Sequence, residues 1–130
     1  LSLNASDISW ALQEQTKIFR SVSAFFKDFD LLICITNAVP PFPIEQRYCD
    51  QINDVKFDNY VEWMALTWGL TIPGNPVTDI PFGLDHTSMP FGLQICGPHF
   101  SDDFVLNVAS QLEDIFSTNE GSARPVPKLA

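Results

Sequence analysis

The run Leu31-Leu32-Ile33-Cys34-Ile35-Thr36 constrains this chain more than any other feature. It carries no charge, is rich in branched aliphatic side chains, and lies between the acidic stretch Asp28 to Asp30 and a proline-rich segment. A run this short between turn signals predicts a strand buried on both faces, in the middle of a helix-covered sheet. The preceding segment has helical periodicity. Ile8, Ala11, Leu12, Phe19, Val22, Phe26 and Phe29 recur at helical spacing, with Gln15 the one polar interruption. Gln13, Glu14, Lys17, Ser21 and Asp28 take the opposite, solvated side. Ser6 and Asp7 are the expected N-caps. A long helix running into a buried strand is the grammar of an α/β fold.

Beyond the run, residues 37–56 hold Pro40, Pro41 and Pro43 without periodicity and are expected to form a long irregular loop. Asp58 precedes a second helix with Tyr60, Val61, Met64 and Trp68 on one side and Gly69 at its end. Pro73, Gly74 and Pro76 mark a turn. Val77 to Pro81 reads as a short strand, residues 82–90 as a loop and Phe91 to Cys96 as a further strand. Ser101 caps the last helix, Asp102 and Asp103 sit in its first turn, and Val105, Val108, Ala109, Leu112, Ile115 and Phe116 form its stripe. Residues 117–130 are expected to be a loose tail after a single domain over 1–116.

Composition narrows the function classes. With 130 residues and 45% hydrophobic content, one buried core is within reach. Seven Lys and Arg against 16 Asp and Glu give a net charge of −9, which argues against nucleic acid as a partner. No apolar stretch approaches the ~20 residues of a membrane span. The chain shows no signal peptide and opens at Leu1, so it reads as a piece of a longer protein. Cys34, Cys49 and Cys96 lack the spacing of a zinc site or a disulfide framework, which suits a reducing, cytoplasmic compartment. The glycines form no phosphate loop, and neither a metal nor a cofactor is expected.

Chemistry-bearing side chains are scattered. His86 and His99 stand beside no serine or cysteine nucleophile and read as surface or loop-bracing residues. Asp79 interrupts a strand between Thr78 and Ile80, as an edge-strand polar residue or as part of a cavity lining. Trp63, Met64 and Trp68, with Phe57, either pack the core or form an apolar wall for a substrate. No catalytic constellation emerges from the residues alone.

Residues 74–83 (GNPVTDIPFG) and 89–113 (MPFGLQICGPHFSDDFVLNVASQLE) resemble the C-terminal part of amidase-signature hydrolases. The matching positions are Gly74, Pro76, Pro81, Gly83, Pro90, Gly92, Leu93, Gln94, Gly97 and Asp102, and FKDFDLLICIT at 26–36 is similar to the family's helix-to-strand entry. Physically, Gly83 suits a turn with positive φ, Pro81 blocks ladder pairing, Gly92 leaves room for close approach, and Gln94 satisfies backbone groups. The chain departs from the pattern at Met89-Pro90 and at Pro73-Gly74-Asn75-Pro76, which bears on substrate shape.

The resemblance implies a mixed β-sheet covered by helices. It also implies, for a longer parent, hydrolysis of a carboxamide through an acyl-serine intermediate formed by a Ser-Ser-Lys triad. The Gly/Ser-rich segment that bears the serines is not among these residues, and Lys17, Lys27, Lys56 and Lys128 sit on a polar face, at a helix end, in a loop and in the tail. No catalytic residue is therefore carried over. The chain alone is expected to be inactive, with an N-terminal catalytic portion as partner and Trp63, Met64 and Trp68 as one pocket wall. Its unpaired sheet edges invite self-association. The alternatives are a non-catalytic binding module and part of an amidotransferase A-type subunit.

Overall fold

The computed structural model describes residues 2–126. Leu1 and the last four residues of the expected tail, Lys128 among them, lie outside the described residues. Helix α1 spans Ala5–Phe25. Its N-cap is Asn4, not Ser6 or Asp7: the Asn4 side-chain oxygen accepts from the Ser6 and Asp7 amides at 2.9 and 3.1 Å. The Asp7 carboxylate accepts in return from the Asn4 amide at 2.9 Å. Asp7 therefore serves as the third-position partner of a capping box, satisfying two amides reciprocally. Phe26 and Phe29 lie past the helix end, where the Phe25 and Phe29 rings stack 4.6 Å apart.

Strand β1 (Leu32–Ile35) departs from expectation. Among the described residues it pairs on one side only, antiparallel to β5 (Pro90–Cys96), with Leu32 opposite Cys96 and Ile35 opposite Leu93. Its burial alternates, leaving Ile33 and Ile35 exposed. A continuous apolar run does not distinguish a central strand from an edge strand whose outer face is uncovered among the described residues. The central strand is β5, which pairs on its other side with β4 (Val77–Leu84). Strand β4 does not stop at Pro81. It runs through a register irregularity between Pro81 and Leu84, a place where an edge strand tolerates proline. Of the loop expected over 82–90, residues 85–89 form a tight turn, while Phe82 to Leu84 continue β4 and Pro90 opens β5.

The expected irregular stretch over 37–56 contains a small hairpin, β2 (Gln51–Ile52) with β3 (Val55–Lys56). In place of one helix from Asp58, a 3-10 turn (Glu62–Met64) leads into a short α2 (Ala65–Gly69), which does end at Gly69. Helix α3 (Asp102–Ser117) lies over the sheet. Ile80 and Ile95 from the sheet meet Val105 and Ala109 from α3, with Leu31, Leu93, Leu112 and Phe116 packed around them. Full burial of such side chains stabilises by about 1.5–3 kcal/mol each. Ile115 is an exception to the expected stripe: it is 61% exposed, one helical step off the 105–109–112–116 row. Ser101 is the N-cap of α3, its carbonyl accepting from the Val105 amide at 2.9 Å, while its hydroxyl donates to the Pro98 carbonyl at 2.6 Å. Past α3, a turn brings Ser122, itself buried, and the Gly121 carbonyl against Gly83, whose φ is +60°.

The result is an α and β fold with a three-stranded antiparallel sheet, α3 over one face. Gln94 lies opposite Cys34 in β1 and Asp79 in β4. Its side-chain amide donates to the Ile35 and Leu66 carbonyls, both at 3.2 Å. A buried amide thus ties the end of β1 to α2, in keeping with the rule that buried polar groups are paired.

Candidate functional site

At the end of β1, where the chain leaves the sheet, a cavity of about 330 Å³ opens. Ile35 and the segment Asn37 to Phe42 form one side, Trp63 stands on another, and Asp85, His86, Pro90, Phe91 and Gly92 close it from the β4–β5 hairpin. Prolines in the wall restrict its backbone, since each fixes φ and supplies no donor. Phe42 meets the edge of Trp63 at a centroid distance of 5.6 Å, and Tyr60 meets it from another side at 6.3 Å. Such edge contacts fix the orientation of a large apolar surface.

Of the three residues expected as a pocket wall, Trp63 lines this cavity, with Pro40 and Pro41 close by. Met64 and Trp68 are not among its lining residues. The Trp68 indole instead donates to the Val61 carbonyl at 3.0 Å, bracing α2 on the turn before it. The tryptophan and methionine spacing fits a regular helix, and the 3-10 turn at Glu62–Met64 rotates Trp63 relative to that register. The Trp63 indole nitrogen is buried and has no hydrogen-bond partner among the described residues.

Asn37, Asp85 and His86 are the polar side chains of the lining. The Asp85 carboxylate accepts from the Thr87 hydroxyl at 2.6 Å and from the Thr87 and Met89 amides at 2.7 and 3.0 Å. These bonds, that from the Thr87 hydroxyl foremost, hold its pKa below the ordinary carboxylate value. Asp85 is therefore occupied in shaping the hairpin turn that carries His86 to the cavity rim. Periodicity alone did not mark Asp85, His86 or Phe91 as neighbours of Trp63. An Asp followed two residues later by Thr, between two apolar runs, was the available signal for a tight turn.

The other sequence candidates fall elsewhere. His99 faces the Pro73 carbonyl at 2.9 Å and the Phe19 ring at 4.9 Å, bracing α1 against the turn before β4. Gly74 and Pro76 belong to that turn, where Asn75 donates to the Gly97 carbonyl at 2.7 Å. Burial raises the pKa of the Cys34 and Cys96 thiols, so both are protonated at neutral pH. Among the described residues, no cluster of His, Cys, Asp and Glu could hold a metal ion, and no helix is long and apolar enough to cross a membrane.

Comparison with known proteins places this geometry. The family model for amidases matches residues 2–106. The A-type subunit of the glutamyl-tRNA(Gln) amidotransferase from Halothermothrix orenii is 31% identical over 115 residues, which cover 88% of the chain and 22% of that protein. Its counterpart from Lacticaseibacillus casei is 32% identical over 101 residues, 78% of the chain and 19% of the relative. Among solved structures, a bacterial aryl acylamidase of the amidase-signature family superposes with a TM-score of 0.78 at 25% identity, covering 96% of the chain and 27% of that enzyme. The Thermotoga maritima counterpart of the amidotransferase relatives superposes with a TM-score of 0.74 at 21% identity, over 96% of the chain and 26% of the other. The chain thus spans about a fifth of the length of the curated relatives it matches.

Proposed function

The chain belongs to the amidase family, and from that premise we propose that it corresponds to the C-terminal part of an enzyme that hydrolyses carboxamides through an acyl-serine intermediate. Its role there is to supply scaffold and one wall of the acyl pocket. The nucleophile and its base come from the N-terminal catalytic portion, and the substrate is a small amide. The observation that carries this reading is the aromatic-lined cavity of about 330 Å³ beneath Trp63 and Phe42. Ligand sites are concave, mostly apolar and furnished with a few polar groups, and here those are Asn37, Asp85 and His86. An aryl or other flat apolar acyl group suits such walls.

A second reading, that the parent is an amidotransferase A-type subunit working with partner subunits, is favoured by the names of the sequence relatives. One assay separates the two. The protein, combined with a portion bearing the serine nucleophile, is given benzamide and, separately, glutamine. Release of benzoate supports the aryl amide reading, and release of ammonia from glutamine supports the amidotransferase reading. Cleavage of neither, by a combination shown to be folded, overturns both. On the first reading, Trp63→Ala raises KM for benzamide by about tenfold or more, since it removes the apolar wall that the ring would cover.

A further inference from the structure

Thr36, the residue just past β1, and Asp79 in β4 lie on opposite sides of β5. Strands one place removed from neighbours are about 9.5 Å apart, too far for short side chains to meet over an ordinary residue. Here they do meet. The Thr36 hydroxyl donates to Asp79 Oδ1, and the place where they cross is Gly92. A Cβ built on Gly92 would stand 2.8 Å from the Thr36 hydroxyl and 2.9 and 3.0 Å from the two Asp79 oxygens. The missing side chain is thus the space this pair occupies.

Thr36 is also the base of the cavity wall. Its amide donates to the Gly92 carbonyl at 3.0 Å, its carbonyl accepts from the Thr67 hydroxyl at 2.9 Å, and the wall segment Asn37 to Phe42 begins at the next residue. At its far end the segment rests on Trp63 through Phe42. A second, more polar hollow of about 520 Å³ adjoins the first. The two share Asn37, Pro90, Phe91 and Gly92, while Thr36 and Asp79 line the second only.

We propose that Asp79 is a positioning residue for the pocket: latched to Thr36 across Gly92, it holds the 37–42 wall in place and keeps the apolar cavity apart from the polar hollow beside it. The latch itself rests on geometry alone, and its consequence for ligands rests on the acyl-pocket reading above. Asp79 is exposed, so changing it leaves the core intact.

The test uses Asp79→Ala, Asp79→Asn and Gly92→Ala in the whole protein, with backbone NMR order parameters of Ala38, Val39 and Phe42 and calorimetric titration of benzamide. In Asp79→Ala the order parameters fall toward the flexible range, below about 0.6. Benzamide affinity drops about three- to tenfold, the worth of one hydrogen bond. Gly92→Ala, whose methyl displaces the pair, does the same. Asp79→Asn keeps an acceptor oxygen and restores most of both, which a general loss of stability would not allow. Unchanged order and affinity in Asp79→Ala, or an Asn variant no better than the Ala variant, overturns the proposal. If the unaltered protein binds no benzamide, the pocket reading fails, and the order parameters alone then decide the latch.

Discussion

Single residues in this chain are constrained by what approaches them. At Gly83 two demands coincide, a φ of +60° and the Gly121 carbonyl where a Cβ would stand. Gly83→Ala therefore both strains the backbone and pushes the 119–122 turn away. It should lower unfolding stability by more than about 1 kcal/mol, measurable in urea, and an unchanged midpoint would contradict the packing described. The need for glycine at 83 could be read from a Pro-x-Gly following an apolar run. The need at 92 is different in kind: what comes close there is a side-chain pair from two strands, and no local pattern reveals it. Asn4 shows the same limit on a smaller scale. Three polar residues stood at the helix start, and only the backbone path decides which of them caps.

At the level of elements, the hairpin turn over 85–89 has a built-in pH dependence. Asp85 has a folded pKa below its ordinary value of 3.8, so its stabilisation of the turn is fully present above that value and is lost as pH falls through the folded pKa. The amide shifts of Thr87 and Met89 should titrate with a midpoint below 3.8, and a midpoint at or above 3.8 would refute the assignment. Strand β1 carries a second expectation. With its outer edge unpaired among the described residues and Ile33 exposed, Ile33→Lys should reduce concentration-dependent association in sedimentation, because charge on an edge discourages strand addition. Equal association of both proteins would point to another surface. Elements with strong internal pattern, α1, α3 and the strand over 91–96, were readable from apolar spacing. The break of the second helix into a 3-10 turn and five helical residues was not, since Trp68, Thr67 and Val61 settle it through contacts that spacing does not encode.

Over the whole molecule, the small core joining α3 to the sheet contrasts with α1, which has no buried residue and exposes Ile8, Trp10 and Leu12. A helix with an apolar stripe and so little cover is suited to packing against further protein, which accords with a chain spanning about a fifth of its relatives' length. The family and fold class could be read from ordered glycines and prolines, because these residues mark backbone geometry that a whole fold shares. Of the residues expected as a pocket wall, Trp63 alone lies at the cavity, whose other walls come from segments brought together by the sheet register. The central claim, that this cavity receives the acyl part of an amide, is tested most directly by titrating benzamide into the protein and into Trp63→Ala and comparing affinities. The account predicts saturable binding to the unaltered protein, weakened about tenfold or more in the variant. Equal affinity in the two proteins, or no binding to either, would contradict it.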